Sequence, residues 1–334
     1  MILVGDVGGT KTVLQLLARG DAAPRLLFER RYADEEFADF DALLARFLDE
    51  ARALAGQGNA GPAIALAVLA LAAPVSGERV TLTNRPWTID SRALEARFRI
   101  GSVRLINDFG AAAHGIGLLA GRDLVTLQPG EPMADAPLLV LGAGTGLGIA
   151  CVIGAGARRE VVAGEGGNAG FAPSSPLLAE LWSHLHRRSG YVCIEDVVSG
   201  RGLANIYAFL RERRAAPESP LLAKALENDD PAAAITLFAM ERSDALAGLA
   251  LDLFIEAYGA AAGDHALAVM GTGGVYVAGG IAPRILARLQ RGGFVSAFQA
   301  KGRYRPLMER IPVHVVMNEG VGLLGAAAVA MQVV

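Results

Sequence analysis

Ile2-Leu3-Val4-Gly5-Asp6-Val7-Gly8-Gly9-Thr10-Lys11-Thr12-Val13-Leu14-Gln15-Leu16-Leu17 is the stretch that decides the fold. Residues 2–7 form a short apolar run that predicts a buried strand. Gly8-Gly9-Thr10 predicts a turn and residues 12–17 a second strand, so the whole reads as a β-hairpin with glycines at its tip. The pattern returns about 136 positions later, counted from Gly8 to Gly144. Residues 138–141 predict a strand, Gly142-Ala143-Gly144-Thr145-Gly146 a turn, and residues 147–153 another strand. Two equivalent halves would each bring one such hairpin to a shared cleft.

Working outward, Phe40, Leu43, Leu44, Phe47 and Leu48 stand at helical spacing and predict a helix over 37–54. Residues 62–72 are a continuous apolar run ended by Ala73-Pro74. Residues 102–106 predict a strand that runs straight into Asn107-Asp108. Strand and helix therefore alternate, which argues an α/β fold. From 176 to 263 the chain reads as mostly helical, with helices over 235–249 and 251–262. A strand over 274–280 ends in Gly279-Gly280. A helix over 282–290, a strand over 313–316 and a closing helix over 322–331 follow. A length of 334 residues predicts two domains.

Composition narrows the function classes. Apolar residues make up 52 %, charged residues 19 %, and the formal net charge is −3, which excludes a disordered chain. Cys151 and Cys193 are the only cysteines, too few for a disulfide scaffold. No basic stripe points to nucleic acid, and Arg187, Arg188, Arg211, Arg213 and Arg214 read as solvated helix faces. Mean hydropathy is +0.37, so a membrane span must be considered. The apolar runs 64–73 and 321–334 fall short of the roughly 18 residues a spanning helix needs. Met1–Asp6 meets an acid at once, unlike a signal sequence. The expectation is a cytoplasmic protein that engages neither membrane nor nucleic acid. There are 41 glycines, near 12 % against a usual ~7 %.

Two known phosphate loops are absent. No Gly-Lys pair exists for a P-loop, and Gly142/Gly144 lead into a strand where a dinucleotide fingerprint needs a helix. What remains is a hairpin device. Gly8, Gly9, Thr10 and Lys11 offer backbone N–H groups, a hydroxyl and an ammonium, and glycine lets a phosphate approach the backbone closely. Asp6 at the strand end suits the water shell of a magnesium ion. Gly144, Thr145 and Gly146 would grip the phosphates from the other side, with Gly279-Gly280 as a third element. The alternative is two tight turns that need glycine only for their geometry. Both hairpins together with Asp6 and Gly279-Gly280 favour nucleotide binding.

A second, polar set stands where apolar strands stop: Asn107-Asp108, Glu165 in Gly164-Glu165-Gly166-Gly167-Asn168, and Glu195. Carboxylates and carboxamides are the groups that recognise sugar hydroxyls. Asp108 could serve as the base for phosphoryl transfer to a hydroxyl, or simply cap a helix after the strand.

These stretches resemble the superfamily of sugar kinases, actin and heat-shock-seventy ATPases, through Asp6–Thr10, Gly142–Gly148 and Ala278-Gly279-Gly280. The resemblance sharpens to bacterial glucokinases of the hexokinase-like, non-repressor type. It is carried further by Thr83-Asn84, Ile106-Asn107-Asp108-Phe109, Gly164–Gly167, Phe171-Ala172-Pro173, Ser199-Gly200-Arg201-Gly202-Leu203 and Ile281-Ala282-Pro283-Arg284, in order over nearly the whole chain. It implies two ribonuclease-H-like (actin-like ATPase) α/β domains around a cleft. Residues 1–110 with 310–334 would form the small one, and 111–309 the large one with a helical insertion. It implies transfer of the γ-phosphoryl group of ATP, with Mg2+, to the 6-hydroxyl of glucose. Asp108 would be the base, and Asn84, Asn107, Asp108, Glu165, Asn168 and Glu195 would bind the sugar. Asp6, Gly8, Gly9, Thr10, Lys11, Gly144, Thr145, Gly146, Gly279 and Gly280 would surround the nucleotide, Asp6 holding magnesium through water. A homodimer through the helical domain is also implied.

Two positions depart from the family pattern. Asn168 stands where the family has a histidine that bonds the sugar, and Lys11 where close relatives often have asparagine. Asn168 motivates the alternative of a kinase for mannose, fructose or an amino sugar. A non-catalytic sugar sensor would lack Asp108 or a phosphate loop, and a polymer-forming or chaperone ATPase would not need the polar set. Two cysteines cannot supply the zinc cluster of the repressor branch, and a hairpin starting at residue 2 leaves no room for its helix-turn-helix. The five histidines lie outside these motifs. His184 and His186, two apart, fall on different faces of a helix, so no metal site is expected there.

Overall fold

The structure, a computed structural model, describes residues 1–20, 24–54 and 63–333. Pro62, at the head of the apolar run 62–72, lies outside the described residues. The chain divides into two compact units, Met1–Leu119 with Gly320–Val334, and Ala120–Glu319. The split falls after Leu119 and Glu319 rather than at the expected boundaries of 110 and 309.

The first unit is built on a five-stranded sheet of order β3-β2-β1-β4-β7. Its strands are β1 (Ile2–Val7), β2 (Lys11–Ala18), β3 (Arg25–Ala33), β4 (Leu66–Leu71) and β7 (Val103–Asn107). The short pair β5 (Arg79–Thr81) and β6 (Thr88–Asp90) stands apart. β1 runs antiparallel to β2 and parallel to β4, and β4 parallel to β7. Successive residues of a strand face opposite sides, and here both sides are covered. Leu3 and Val7 enter one core with α1 (Phe40–Leu54) and α2 (Ser91–Phe98), whereas Ile2 and Val4 enter another with the closing helix. Helix α1 buries Phe40, Leu43, Leu44, Phe47, Leu48 and Ala51 along one face. Burying each large side chain stabilises the unit by ~1.5–3 kcal/mol before entropy is counted.

Helix α3 (Asp108–Ile116) follows β7 without a loop, and it belongs with this unit because the closing helix packs closely against it. Gly115 and Gly325 make that crossing possible. A Cβ on Gly115 would strike the Val321 carbonyl, and one on Gly325 the Ala111 carbonyl.

The second unit repeats the plan. Its six-stranded sheet has the order β11-β10-β9-β12-β13-β8. The strands are β8 (Leu124–Gln128), β9 (Leu138–Ala143), β10 (Leu147–Ile153), β11 (Glu160–Gly164), β12 (Gly274–Ala278) and β13 (Val313–Val316). β9 runs antiparallel to β10 and parallel to β12, and β12 parallel to β13. The first five strands thus match the first sheet in order and sense. This is the doubling that the repeated hairpin predicts.

Between β11 and β12 lie α4 (Pro176–Ser189), α5 (Gly200–Glu212), α6 (Pro220–Asn228), α7 (Pro231–Glu241) and α8 (Ala245–Val269). Beyond β12 come the short α9 (Ile281–Arg284), α10 (Leu286–Leu289), α11 (Gly293–Gln299) and α12 (Arg305–Met308), and α13 (Val321–Val333) closes the first unit. Two sequence expectations need correction. The helix expected over 235–249 is broken at Arg242–Asp244, where the Asp244 side chain accepts from the Ala247 N–H and caps α8. From that cap a single 25-residue helix runs through the end of the first expected segment and the whole of the second. The helix expected over 282–290 is two short turns separated at Ile285. Helix α8 is also long and apolar enough to cross a membrane, which the run-length reading overlooked. Its most apolar window is 72 % buried, in the core with β9, α5, α7 and α11, so it serves as a core helix.

Candidate active site

In the first unit the polar residues collect where the parallel strands end. Val7, Leu71 and Asn107 are cross-strand partners on β1, β4 and β7. In an open α/β sheet, the space beyond the carboxyl ends of the strands is where ligands bind. Asp6 shares a face with Ile2 and Val4, and its Oδ2 lies 3.5 Å from where a Cβ on Gly322 would stand, in the first turn of α13. Among the described residues its carboxylate makes no hydrogen bond or ion pair. Burial pushes its pKa upward, Lys11 and Arg31 pull it back, and the neighbouring Asp34 adds to the rise.

The β1–β2 turn is closed by a bond from the Gly8 N–H to the Lys11 carbonyl, 3.1 Å. Gly9 sits against Asn84, whose Cβ would be 3.3 Å from a Cβ on Gly9. Asn84 therefore stands beside the glycine turn, at the tip of a small loop closed by the Leu82 N–H on the Trp87 carbonyl, 2.9 Å. Its neighbour Arg85 donates to the Asp34 carbonyl at 2.8 Å. The Asp34 N–H donates in turn to the Thr10 carbonyl at 3.0 Å. Thr10 and Lys11 are exposed.

At the end of β7 the cap is Asn107, not Asp108. The Asn107 Oδ1 accepts from the Gly110 N–H at 2.9 Å, and its Nδ2 donates to the Ala73 carbonyl at 3.1 Å. The capping role weighed for Asp108 is thus filled by its neighbour. Asp108 is the first residue of α3, and its Oδ1 accepts from the Phe109 N–H at 2.8 Å.

In the second unit the glycine hairpin and the acidic residues meet at Leu147. The β9–β10 tip is Gly144-Thr145-Gly146, closed by the Gly144 N–H on the Gly146 carbonyl at 2.8 Å. The Leu147 N–H donates to Glu195 Oε2 at 2.8 Å. The Leu147 carbonyl presses on Gly167, leaving no room there for a Cβ. Gly146 is held by a side chain instead, since a Cβ there would come within 2.5 Å of Glu195 Oε2 and push the carboxylate away. Glu195 also receives Arg201 at 3.3 Å. Ser199 Oγ caps α5 through the Gly202 N–H and donates to the Glu195 carbonyl at 2.7 Å. The Gly200 N–H donates to the Gly144 carbonyl at 2.8 Å.

Gly279 takes a left-handed φ of +83°, and a Cβ there would lie 2.7 Å from the Ala143 carbonyl. The Gly279-Gly280 pair is thereby brought onto the base of the same hairpin. Glu165 and Asn168 lie on a 3-10 turn, Gly166–Asn168, that follows β11, and both side chains are exposed. The turn is closed by the Asn168 N–H on the Glu165 carbonyl at 2.9 Å, and Tyr191 donates its hydroxyl proton to the Asn168 carbonyl at 2.8 Å.

Each unit thus gathers its own share of the expected residues. The first holds Asp6, Gly8, Gly9, Thr10, Lys11, Asn84, Asn107 and Asp108. The second holds Gly144, Thr145, Gly146, Glu165, Asn168, Glu195, Gly279 and Gly280. The motifs quoted from the sequence contain Leu147, Ser199 and Arg201 but give no role to them as the residues that hold these in place, nor to Tyr258, whose hydroxyl accepts from the Ala143 N–H at 3.0 Å. Ser199 carried a usable signal, a hydroxyl three residues before Gly202 at a helix start. Leu147 carried none, because only its backbone acts. His265, set aside with the other histidines, lies against Gly166. Among the described residues no group of His, Cys, Asp and Glu side chains is arranged to hold a metal ion directly.

Comparison with known proteins gives the family. A family model described as Glucokinase matches residues 3–333. The glucokinase of Nostoc punctiforme is 40 % identical over 344 residues, covering 99 % of this chain and 98 % of that protein. That of Synechocystis sp. is 42 % identical over 349 residues, with 99 % and 98 % covered. A glucokinase crystal structure from an Antarctic psychrotroph superposes with a TM-score of 0.80 at 28 % identity, covering 99 % of this chain and 98 % of that one. The glucokinase of Balamuthia mandrillaris, solved with glucose, shares the fold at a TM-score of 0.79 and 23 % identity, with 99 % and 93 % covered. With a family match from end to end and relatives this similar over their full lengths, the chain belongs to the glucokinase family.

Proposed function

We propose that the chain transfers the γ-phosphoryl group of ATP to the 6-hydroxyl of glucose, giving glucose 6-phosphate, with Asp108 as the base. The observation that carries this reading is the double use of Leu147. Its N–H binds Glu195 and its carbonyl abuts Gly167, so the glycine hairpin and the acid-and-amide set are built on one residue. An ATP hydrolase needs only the hairpin. A transferase to a polyhydroxy acceptor needs both, with a carboxylate to take the hydroxyl proton.

The glycine elements suit a nucleotide. A Cβ on Gly144 or Gly280 would meet open space, so the backbone there is open to close approach. The N–H groups of Gly9, Thr10, Thr145 and Gly146 have no acceptor among the described residues. Asp6 suits a magnesium ion held through water, since its carboxylate is uncommitted and a hydrated Mg2+ typically uses one or two carboxylates. When bound, the ion neutralises charge on the transferring phosphoryl group. Glu165, Asn168 and Glu195 offer acceptors and a carboxamide donor to the sugar hydroxyls, and Asn107, fixed by its capping bonds, offers what remains of its carboxamide. A glucokinase of Streptomyces griseus solved with glucose and AMPPNP supports both the sugar and the nucleotide. With ATP as donor, the reaction belongs in the cytoplasm. The exposed Leu221, Leu237 and Leu249 on α6, α7 and α8 support a homodimer, and a one-chain mass by light scattering would overturn that part.

The test is ADP release with ATP and a panel of glucose, mannose, fructose and glucosamine, for the wild type, Asn168→His and Asp108→Asn. Glucose is expected to be preferred. Asp108→Asn should lose roughly 10²–10⁴ in kcat while glucose still binds. Wild-type preference for another hexose would replace glucose in the reading, and binding without turnover would make the chain a sensor. Substantial turnover in Asp108→Asn would remove Asp108 as the base.

A further inference from the structure

We infer that His265 is a positioning residue for the turn that presents Glu165 and Asn168 to the sugar, its imidazole standing behind Gly166 as an acceptor for the turn's backbone. The inference rests on the proposed sugar-binding role of that turn. His265 lies near the end of α8, far from the turn in sequence, yet a Cβ on Gly166 would come within 2.9 Å of its Cε1 and 3.5 Å of its Nε2. The Ile149 δ-carbon closes the same space at 2.9 Å. A larger residue at 166 would have to push the ring or the Ile149 side chain aside. Nε2 is buried and has no hydrogen-bond partner. Buried ring nitrogens in folded proteins are almost always bonded, so an unpaired one calls for a partner that arrives. The turn supplies candidates: the N–H groups of Gly166 and Gly167 open it and, like the first amides of any helix, have no acceptor within it. Burial lowers the pKa of His265, which keeps the ring neutral and leaves one nitrogen free to accept. The exposed side chains of the turn include no imidazole of their own. Tightening of the turn around a sugar would bring the Gly166 N–H onto Nε2, and that bond would be present only in the liganded state.

The experiment compares the full chain with His265→Leu, which fills the space without an acceptor, and His265→Gln, which keeps one. KM for glucose, KM for ATP, kcat and the rise in melting temperature on adding glucose are measured for each. His265→Leu is expected to raise the glucose KM about tenfold and shrink the glucose-induced thermal shift. Its ATP KM and kcat should stay within twofold, and the free protein should melt no lower than the wild type, since the unpaired nitrogen is gone. His265→Gln should recover most of the glucose affinity. An unchanged glucose KM in His265→Leu overturns the inference, as does a joint rise of both KM values with a lower melting temperature. Should His265→Leu not fold, a wild-type-like loss-free His265→Gln beside a tenfold weaker His265→Ala supports it, and equal behaviour of those two overturns it. A wild type that neither turns over glucose nor is stabilised by it overturns the sugar reading itself. A wild type that does both while His265→Leu matches it overturns this inference alone.

Discussion

Two glycines of one hairpin, Gly144 and Gly146, should respond in opposite directions to the same substitution. In Gly146→Ala the new Cβ would stand 2.5 Å from Glu195 Oε2, and ordinary contact begins near 3.4 Å. The carboxylate must therefore withdraw by about 0.9 Å, from 2.5 to 3.4 Å. That is enough to break its 2.8 Å bond from the Leu147 N–H. A hydrogen bond to a charged group contributes ~1.5–3 kcal/mol, and the lower end applies because Glu195 keeps some access to solvent. The partly solvated Arg201 pair adds little. Neither glycine has a left-handed φ, so alanine gains ~0.4–1 kcal/mol by restricting the unfolded chain. The net for Gly146→Ala is a loss of about 1 kcal/mol, or ~2–4 °C in the melting temperature of a unit of this size. In Gly144→Ala the Cβ meets open space, so only the gain remains and the melting temperature should rise by ~1–4 °C. Function should divide the other way. Gly144→Ala fills the side open to a phosphate and raises the KM for ATP, whereas Gly146→Ala displaces Glu195 and raises the KM for glucose. Calorimetric melting of the free proteins and steady-state kinetics read both effects. Melting shifts of the same sign in the two variants would refute the claim that Gly146 is needed for Glu195 and Gly144 for the ligand.

Three further outcomes follow from the first unit. The Asp34 carboxylate is fully buried, neither of its oxygens has a hydrogen-bond partner, and burial raises its pKa. A raised native value means its contribution is fully favourable below the unfolded pKa of about 3.9 and is lost as pH rises through the native value. Asp34→Asn should therefore melt progressively higher than the wild type as pH climbs from 4, with the difference levelling off above the native pKa; a gap that narrows with pH would refute this. Gly325→Ala should cost about 3 kcal/mol in urea unfolding, at the upper end of overpacking effects, because its Cβ meets the Ala111 carbonyl and the Gly115 N–H of α3. Gly117→Ala, where the φ is −67° and the Cβ meets nothing, is the control and should gain ~0.4–1 kcal/mol rather than lose stability.

The sequence was most legible where a physical rule acts over neighbouring residues. Both hairpins could be read because a strand, a glycine turn and a strand lie within sixteen residues, and α1 because its apolar positions recur every three or four. The strand β3 was not read: its burial pattern leaves only Phe28 and Tyr32 inside, at an edge where the alternation that marks a strand is weak. The break before α8 was missed because Arg242-Ser243-Asp244 interrupts an apolar run on both sides, and only the cap bond of Asp244 shows that it starts a new helix. At the site, Asn107 and Asp108 were found as a pair but one alternative was assigned to the wrong member, since either side chain can cap a helix and only the φ/ψ of the residue decides. Leu147 and His265 lay beyond reach for a deeper reason. One acts through its backbone, and the other touches a glycine about a hundred positions away, so neither leaves a local pattern.

Glycine connects these cases and explains its own excess. Gly144 and Gly280 leave backbone open to a ligand, whereas Gly146, Gly166 and Gly167 admit a protein group, respectively the Glu195 carboxylate, the His265 ring and the Leu147 carbonyl. The first kind can be inferred from a motif, because the motif describes the ligand's needs. The second depends on a partner supplied by another part of the chain. A family motif such as Gly-x-Gly-Thr-Gly therefore mixes two requirements that substitution can separate. In this protein the dividing line falls within a single hairpin: Gly144 leaves the side proposed to face a phosphate open, and Gly146, two residues on, makes room for the acid that is proposed to hold the sugar.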